Sequence, residues 1–104
     1  MDDLRDNPLA GELLAEMAAS YFRTAKNMQA ALVALRTFEQ ECVAARMEVE
    51  EKRDRREQLM AEAAEQVWFF VNQREAMKMH YYEEMFADFE IPEEVRRRMG
   101  PKKM

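Results

Sequence analysis

Glu50-Glu51-Lys52-Arg53-Asp54-Arg55-Arg56-Glu57-Gln58 contains no apolar residue, and it separates two stretches with different hydrophobic phase. Upstream, with Leu14 at heptad position a, the a series reads Leu14, Tyr21, Met28, Leu35, Cys42 and Val49. The d series reads Met17, Thr24, Ala31, Phe38 and Ala45, so a coiled-coil-type seam runs up to the charged stretch. Downstream a new seam starts: Met60, Ala63, Val67, Phe70, Arg74, Met77, Tyr81. Carrying the first register forward would instead put Arg56, Gln66, Gln73, His80 and Glu84 in the core. Two readings account for the break. Either the chain folds back near Asp54, with Asp54-x-x-Glu57 as a capping box, or one continuous helix carries a stutter. The fold-back is the preferred expectation, although the stretch lacks the Gly, Pro, Asn or Ser that usually mark a turn.

Outward from there, Asn7-Pro8 reads as a helix start, because Asn caps free N–H groups and Pro suits the first helical position. Ile91-Pro92 restarts the chain into a short segment with Val95 and Met99 on one face, and Gly100-Pro101 ends it. The expected organisation is a single helical domain over 1–104: a helix over 8–51, a charged turn at about 52–56, a helix over 57–89 and a short helix over 92–99. The fold class is therefore all-α, a long antiparallel helical hairpin plus a short C-terminal helix. With a turn at Asp54, Phe38 would face Phe70, Ala45 would face Ala63, Ala31 would face Met77 and Met28 would face Tyr81.

Composition agrees with this class. Of the 104 residues, 48% are apolar and 36% charged, too apolar for a disordered chain and too charged for a membrane span. The longest apolar run, Val67-Trp68-Phe69-Phe70-Val71, is too short to cross a bilayer. Net charge is −5, which disfavours general binding to phosphate backbones. The basic tail (Arg96, Arg97, Arg98, Lys102, Lys103) reads as a solvated end or as a contact for an acidic partner. One cysteine and an acidic N-terminus without a signal-peptide pattern suggest a bacterial-type cytoplasmic protein, with neither nucleic acid nor membrane as partner.

Consecutive helix positions point 100° apart, so Val67–Val71 places apolar side chains on every side of the second helix. One hairpin partner covers one side. The sequence therefore predicts a homodimer forming a four-helix bundle, with Trp68, Phe69, Val71, Arg74, Ile91, Val95 and Met99 as interface candidates. Folding of the C-terminal segment over Trp68 within one chain is the alternative.

No catalytic, cofactor-binding or metal-binding residue is expected. A di-iron bundle needs Glu-x-x-His on two helices, whereas the only histidine is His80 and residue 77 is Met. His80 with Glu84, or Met77, Met79 and Met85 with His80, could hold a metal on paper, but a boundary histidine and core-filling methionines explain them more simply. Cys42, at an a position, reads as a core thiol. Arg74 sits in the seam facing Leu35. Its guanidinium either snorkels out or fixes register through an acid such as Glu39 or Glu41.

The stretch Val67-Trp68-Phe69-Phe70-Val71-Asn72-Gln73-Arg74-Glu75-Ala76, followed by Ile91-Pro92-x-Glu94-Val95-x-x-Arg98-Met99-Gly100, resembles a family of short uncharacterised all-helical bacterial proteins, mainly alphaproteobacterial. The resemblance implies no activity, cofactor or partner; it implies that Arg74 and the Ile91–Gly100 segment matter to the fold. A non-enzymatic, homo-oligomeric interaction module is the leading functional expectation. A small-ligand or metal-binding helical bundle around Trp68 and His80 is the alternative, and an enzyme has no specific support.

Overall fold

A computed structural model describes residues 8–41 and 47–100. It contains four helices in chain order: α1 (Pro8–Glu41), α2 (Val49–Ala76), α3 (Tyr82–Asp88) and α4 (Glu93–Arg97). No strand occurs among the described residues. The two long helices pack antiparallel: Ser20 on α1 meets Gln73 on α2 near one end, and Glu39 meets Arg56 near the other. The molecule is a rod of 62 × 27 × 22 Å.

The helical hairpin stands, but its fold-back is not at Asp54. The charged stretch lies wholly inside α2, and the connection falls between Glu41 and Val49. The physical reason is local. Glu, Lys, Arg and Gln are strong helix formers, and nothing among residues 50–58 stops a helix. Glu50 and Glu51 fall in the first turn of α2, where carboxylates complement the positive end of the helix dipole. Glu48 precedes them with extended backbone, φ −62° and ψ 150°. Val49, expected to close the first seam, is 82% exposed. Cys42 and Ala45 lie outside the described residues.

Moving the connection resets the register. Phe70 packs against Tyr21, with ring centroids 5.2 Å apart, and not against Phe38, which lies roughly 25 Å farther along α1 at about 1.5 Å per residue. Met28 and Ala31 are buried in the core, but Tyr81, the expected partner of Met28, is 72% exposed.

The second helix also ends earlier than residue 89, at Ala76. Its end is a Schellman motif: Lys78 adopts a left-handed φ of 62°, its N–H donates to the Glu75 carbonyl at 3.0 Å, and the Met79 N–H donates to the Arg74 carbonyl at 2.8 Å. The motif recurs after α3. Glu90 has φ 51°, its N–H donates to the Ala87 carbonyl at 3.1 Å, and the Ile91 N–H donates to the Phe86 carbonyl at 2.9 Å. The buried pair Phe86 and Ile91 occupies the positions of the motif's usual hydrophobic contact.

These two turns send the chain back along the hairpin. Phe89 stacks edge-on against Phe70 at 5.2 Å, and α4 reaches Arg56 and Glu57 near the start of α2. The core thus has three contributors: Met28, Leu32 and Leu35 from α1, Met60, Val67 and Phe70 from α2, and Met85, Phe86, Ile91 and Val95 from the returning segment. At about 1.5–3 kcal/mol for each large side chain fully buried, the returning segment is a principal part of the core.

Candidate interaction surface

The residues expected to meet a second chain separate into two groups. Arg74, Ile91 and Val95 are buried within the chain's own core at 8%, 7% and 0% exposure, while Val71 and Met99 pack against it. The returning α3–α4 segment takes the place that a partner helix was expected to fill on that side. Trp68 is half-buried, whereas Phe69 is 42% exposed, with the two ring centroids 5.4 Å apart.

Phe69 borders an open groove of about 410 Å³ between α1 and α2, lined also by Thr24, Asn27, Gln66, Asn72, Gln73 and Ala76. The Ser20 hydroxyl donates to Gln73 Oε1 at 3.2 Å across it. The Thr24 hydroxyl bonds back to the Ser20 carbonyl at 2.8 Å. The lining residues are Thr24 and Asn27 on α1 and Gln66, Phe69, Asn72, Gln73 and Ala76 on α2, each set on the side of its helix that borders the groove. Of these, Thr24 is a d position of the first seam and Phe69 an interface candidate; Asn27, Gln66, Asn72, Gln73 and Ala76 lie off both seams, and the seam pattern does not single them out.

Arg74 neither snorkels nor pairs with Glu39 or Glu41. Its guanidinium remains inside, with Nη1 donating to the Tyr21 hydroxyl at 3.2 Å, the guanidinium carbon 5.9 Å from the Phe70 ring centroid, and Nε without a hydrogen-bond partner. Glu39 belongs to Arg56 instead. A phenol satisfies one donor but supplies no counter-charge, so Arg74 costs the fold more than a carboxylate-paired arginine would.

Charge is organised at the opposite end of the rod. Arg56 on α2 bridges Glu39 on α1 at 3.1 Å and Glu94 on α4 at 2.7 Å. Arg98 grips Glu57 with both terminal nitrogens, at 2.6 and 3.2 Å. The hydrogen bond from Arg56 holds the Glu94 carboxyl below its ordinary pKa, and that from Arg98 does the same for Glu57. Arg96 covers the Phe86 ring at 4.2 Å and pairs with Glu83 at 3.0 Å. The arginines of the basic tail that are described here therefore clasp α4 in place through Arg96 and Arg98.

His80 is exposed and lies against Tyr82, with Nδ1 3.5 Å from the hydroxyl. Met79 and Met77 are half-buried, and Met85 is in the core. Among the described residues no group of three His, Cys, Asp or Glu side chains could share a metal ion, and no helix is long and apolar enough to cross a membrane. Comparison of the chain with protein-family models, with characterised proteins and with solved structures finds no match.

Proposed function

We propose that the protein is a non-enzymatic helical interaction module that associates with itself. The observation that supports this most directly is Phe69. It stays 42% exposed on a helix whose core side is already filled by Val67 and Phe70, both fully shielded. A large aromatic side chain held outward beside half-buried Trp68 gains about 1 kcal/mol if a partner covers the part of it that is still exposed. The chain works in the cytoplasm on this reading, in keeping with its single cysteine. Sedimentation velocity of the wild-type protein between micromolar and hundreds of micromolar tests it: a concentration-dependent shift to a dimer is expected, and a monomer throughout overturns it.

A second reading, a small-ligand-binding bundle, draws on the groove beside Phe69, whose amides could orient a polar ligand against the ring. Tight, saturable binding of a small molecule from a metabolite panel, with no change in oligomeric state, would favour that reading over the first.

A further inference from the structure

We infer that two copies of this chain meet along the exposed face of α1 from Leu9 to Val33, antiparallel to each other, with the acidic part of that face on one copy against the basic part on the other. The inference rests on the self-association reading above and assigns its face and register. Three observations carry it.

The first is the order of charge along α1. Glu12 and Glu16 lie one turn apart, and Arg23 and Lys26 follow three residues apart. All four are exposed, and among the described residues none of them forms an ion pair. Elsewhere Arg36, Arg56, Arg96 and Arg98 each meet a carboxylate. Like charges at three- and four-residue spacing repel along a helix. A single copy therefore gains nothing from this segregation of acid and base.

The second is spacing. The charges belong to a stripe that advances by alternating steps of three and four residues, the spacing of a helix–helix seam. Leu9 precedes Glu12, small Ala19 separates Glu16 from Arg23, and Ala30 and Val33 follow Lys26. The stripe lies on the side of α1 away from buried Met28 and Leu35. Its two alanines are exposed, and its apolar ends, Leu9 and Val33, are 71% and 54% exposed.

The third is that the stripe complements itself when reversed. In a two-fold contact residue i meets residue j of the other copy, and j meets i. Antiparallel pairing centred midway between Ala19 and Arg23 sets Glu16 opposite Lys26 and Leu9 opposite Val33. It also sets Glu12 opposite Ala30 and Arg23 opposite Ala19. Acid meets base, the apolar ends meet, and each remaining long side chain finds an alanine. Parallel pairing would put acid on acid and base on base. Charge pairs across a helical seam fix orientation and partner, and a face that is its own complement selects a second copy over a partner of one charge sign. The seam is roughly 35 Å long at about 1.5 Å per residue. The groove that Phe69 borders opens beside it, because Asn27, one of the groove's lining residues, is one turn from Arg23. The second copy's α1 thereby shields part of that ring.

Sedimentation velocity at low and raised ionic strength tests the face with Glu16→Lys, Lys26→Glu and the two combined, and circular dichroism melts verify folding at these exposed positions. Residues 16 and 26 are about 15 Å apart along one helix, so they do not compensate each other within a chain. Wild type should dimerise more weakly as salt is raised. Each single reversal sets like charge against like charge twice in the two-fold contact, and should weaken dimerisation by at least about fivefold at low salt. The two reversals move the net charge in opposite directions, so a shared loss does not come from net charge. The combined variant should return to within about twofold of wild type, because acid again faces base. A dimer indifferent to salt and to both single reversals, or one that stays weak in the combined variant, would overturn the face and register while leaving self-association intact. A wild-type monomer at all concentrations would overturn both.

Discussion

Arg56 donates from Nη2 to Glu94 at 2.7 Å and from Nε to Glu39 at 3.2 Å, so one guanidinium in the middle of the charged stretch ties α4 to both long helices. The stretch that looks like a turn in the sequence is therefore the anchorage for the C-terminal segment.

Arg56→Ala should loosen α4 without unfolding the hairpin. The pairs are about one-third to one-half exposed, so the expected cost is about 0.5–1 kcal/mol, within the range of surface ion pairs. Hydrogen exchange should rise in α3 and α4 and remain unchanged in the middle of α1. Uniform acceleration throughout the chain would count against a local clasp.

Acid should act on the same clasp. The carboxyls of Glu94 and Glu57 are held below their ordinary pKa by Arg56 and Arg98. A carboxylate with a depressed folded pKa contributes its full stability above the unfolded value, about 4.3 for Glu, and loses it as pH falls through the folded value. As pH falls below the unfolded glutamate value, the melting temperature should accordingly drop more steeply for wild type than for a combined Arg56→Ala, Arg98→Ala variant. Parallel pH profiles for the two proteins would refute the assignment.

The register is open to a pair of truncations. Phe70 is fully shielded between Tyr21 and Phe89, so Phe70→Ala should cost about 3–5 kcal/mol. Half-buried Phe38 is outside that cluster, and Phe38→Ala should cost clearly less, about 1 kcal/mol. Chemical denaturation measures both. Equal losses would favour direct contact between Phe38 and Phe70.

Lys78 and Glu90 hold left-handed backbone that costs an L residue with a Cβ about 1 kcal/mol. Lys78→Gly and Glu90→Gly should each stabilise the protein by about 0.5–1 kcal/mol, since glycine enters this region freely. A lower melting temperature for both variants would contradict the two Schellman turns.

Removing the Tyr21 hydroxyl takes away the side-chain hydrogen bond that Arg74 makes. Tyr21→Phe should cost about 1–3 kcal/mol, the penalty of leaving a buried donor unsatisfied. In an Arg74→Met background the same change should cost little, because the buried charge is gone. A double-mutant cycle reads the coupling, and additive losses would show that the two side chains act independently.

The all-helical class, the antiparallel hairpin and the core roles of Met28, Leu35, Met60, Val67 and Phe70 were legible in the one-dimensional pattern. Heptad spacing is a local property: it states which side chains share a helix face before any partner is known. The same pattern could not locate the fold-back, because a phase break reports only that two seams differ, not where the backbone leaves the helix between them. Residues 50–58 kept their strong helix propensity, and the chain turned elsewhere. Nor could it foresee the ends of α2 and α3, where Lys78 and Glu90 take positions at which glycine is the usual signal. Tertiary structure alone decided that Ile91 and Val95 belong to the chain's own core, that Arg74 settles on the Tyr21 phenol, and that Phe69 is left facing outward over a neutral groove. Each of these depends on which helix lies against which, at what register. That register comes from the packing of about a dozen buried side chains from three parts of the chain, a sum over distant residues that no window of sequence contains.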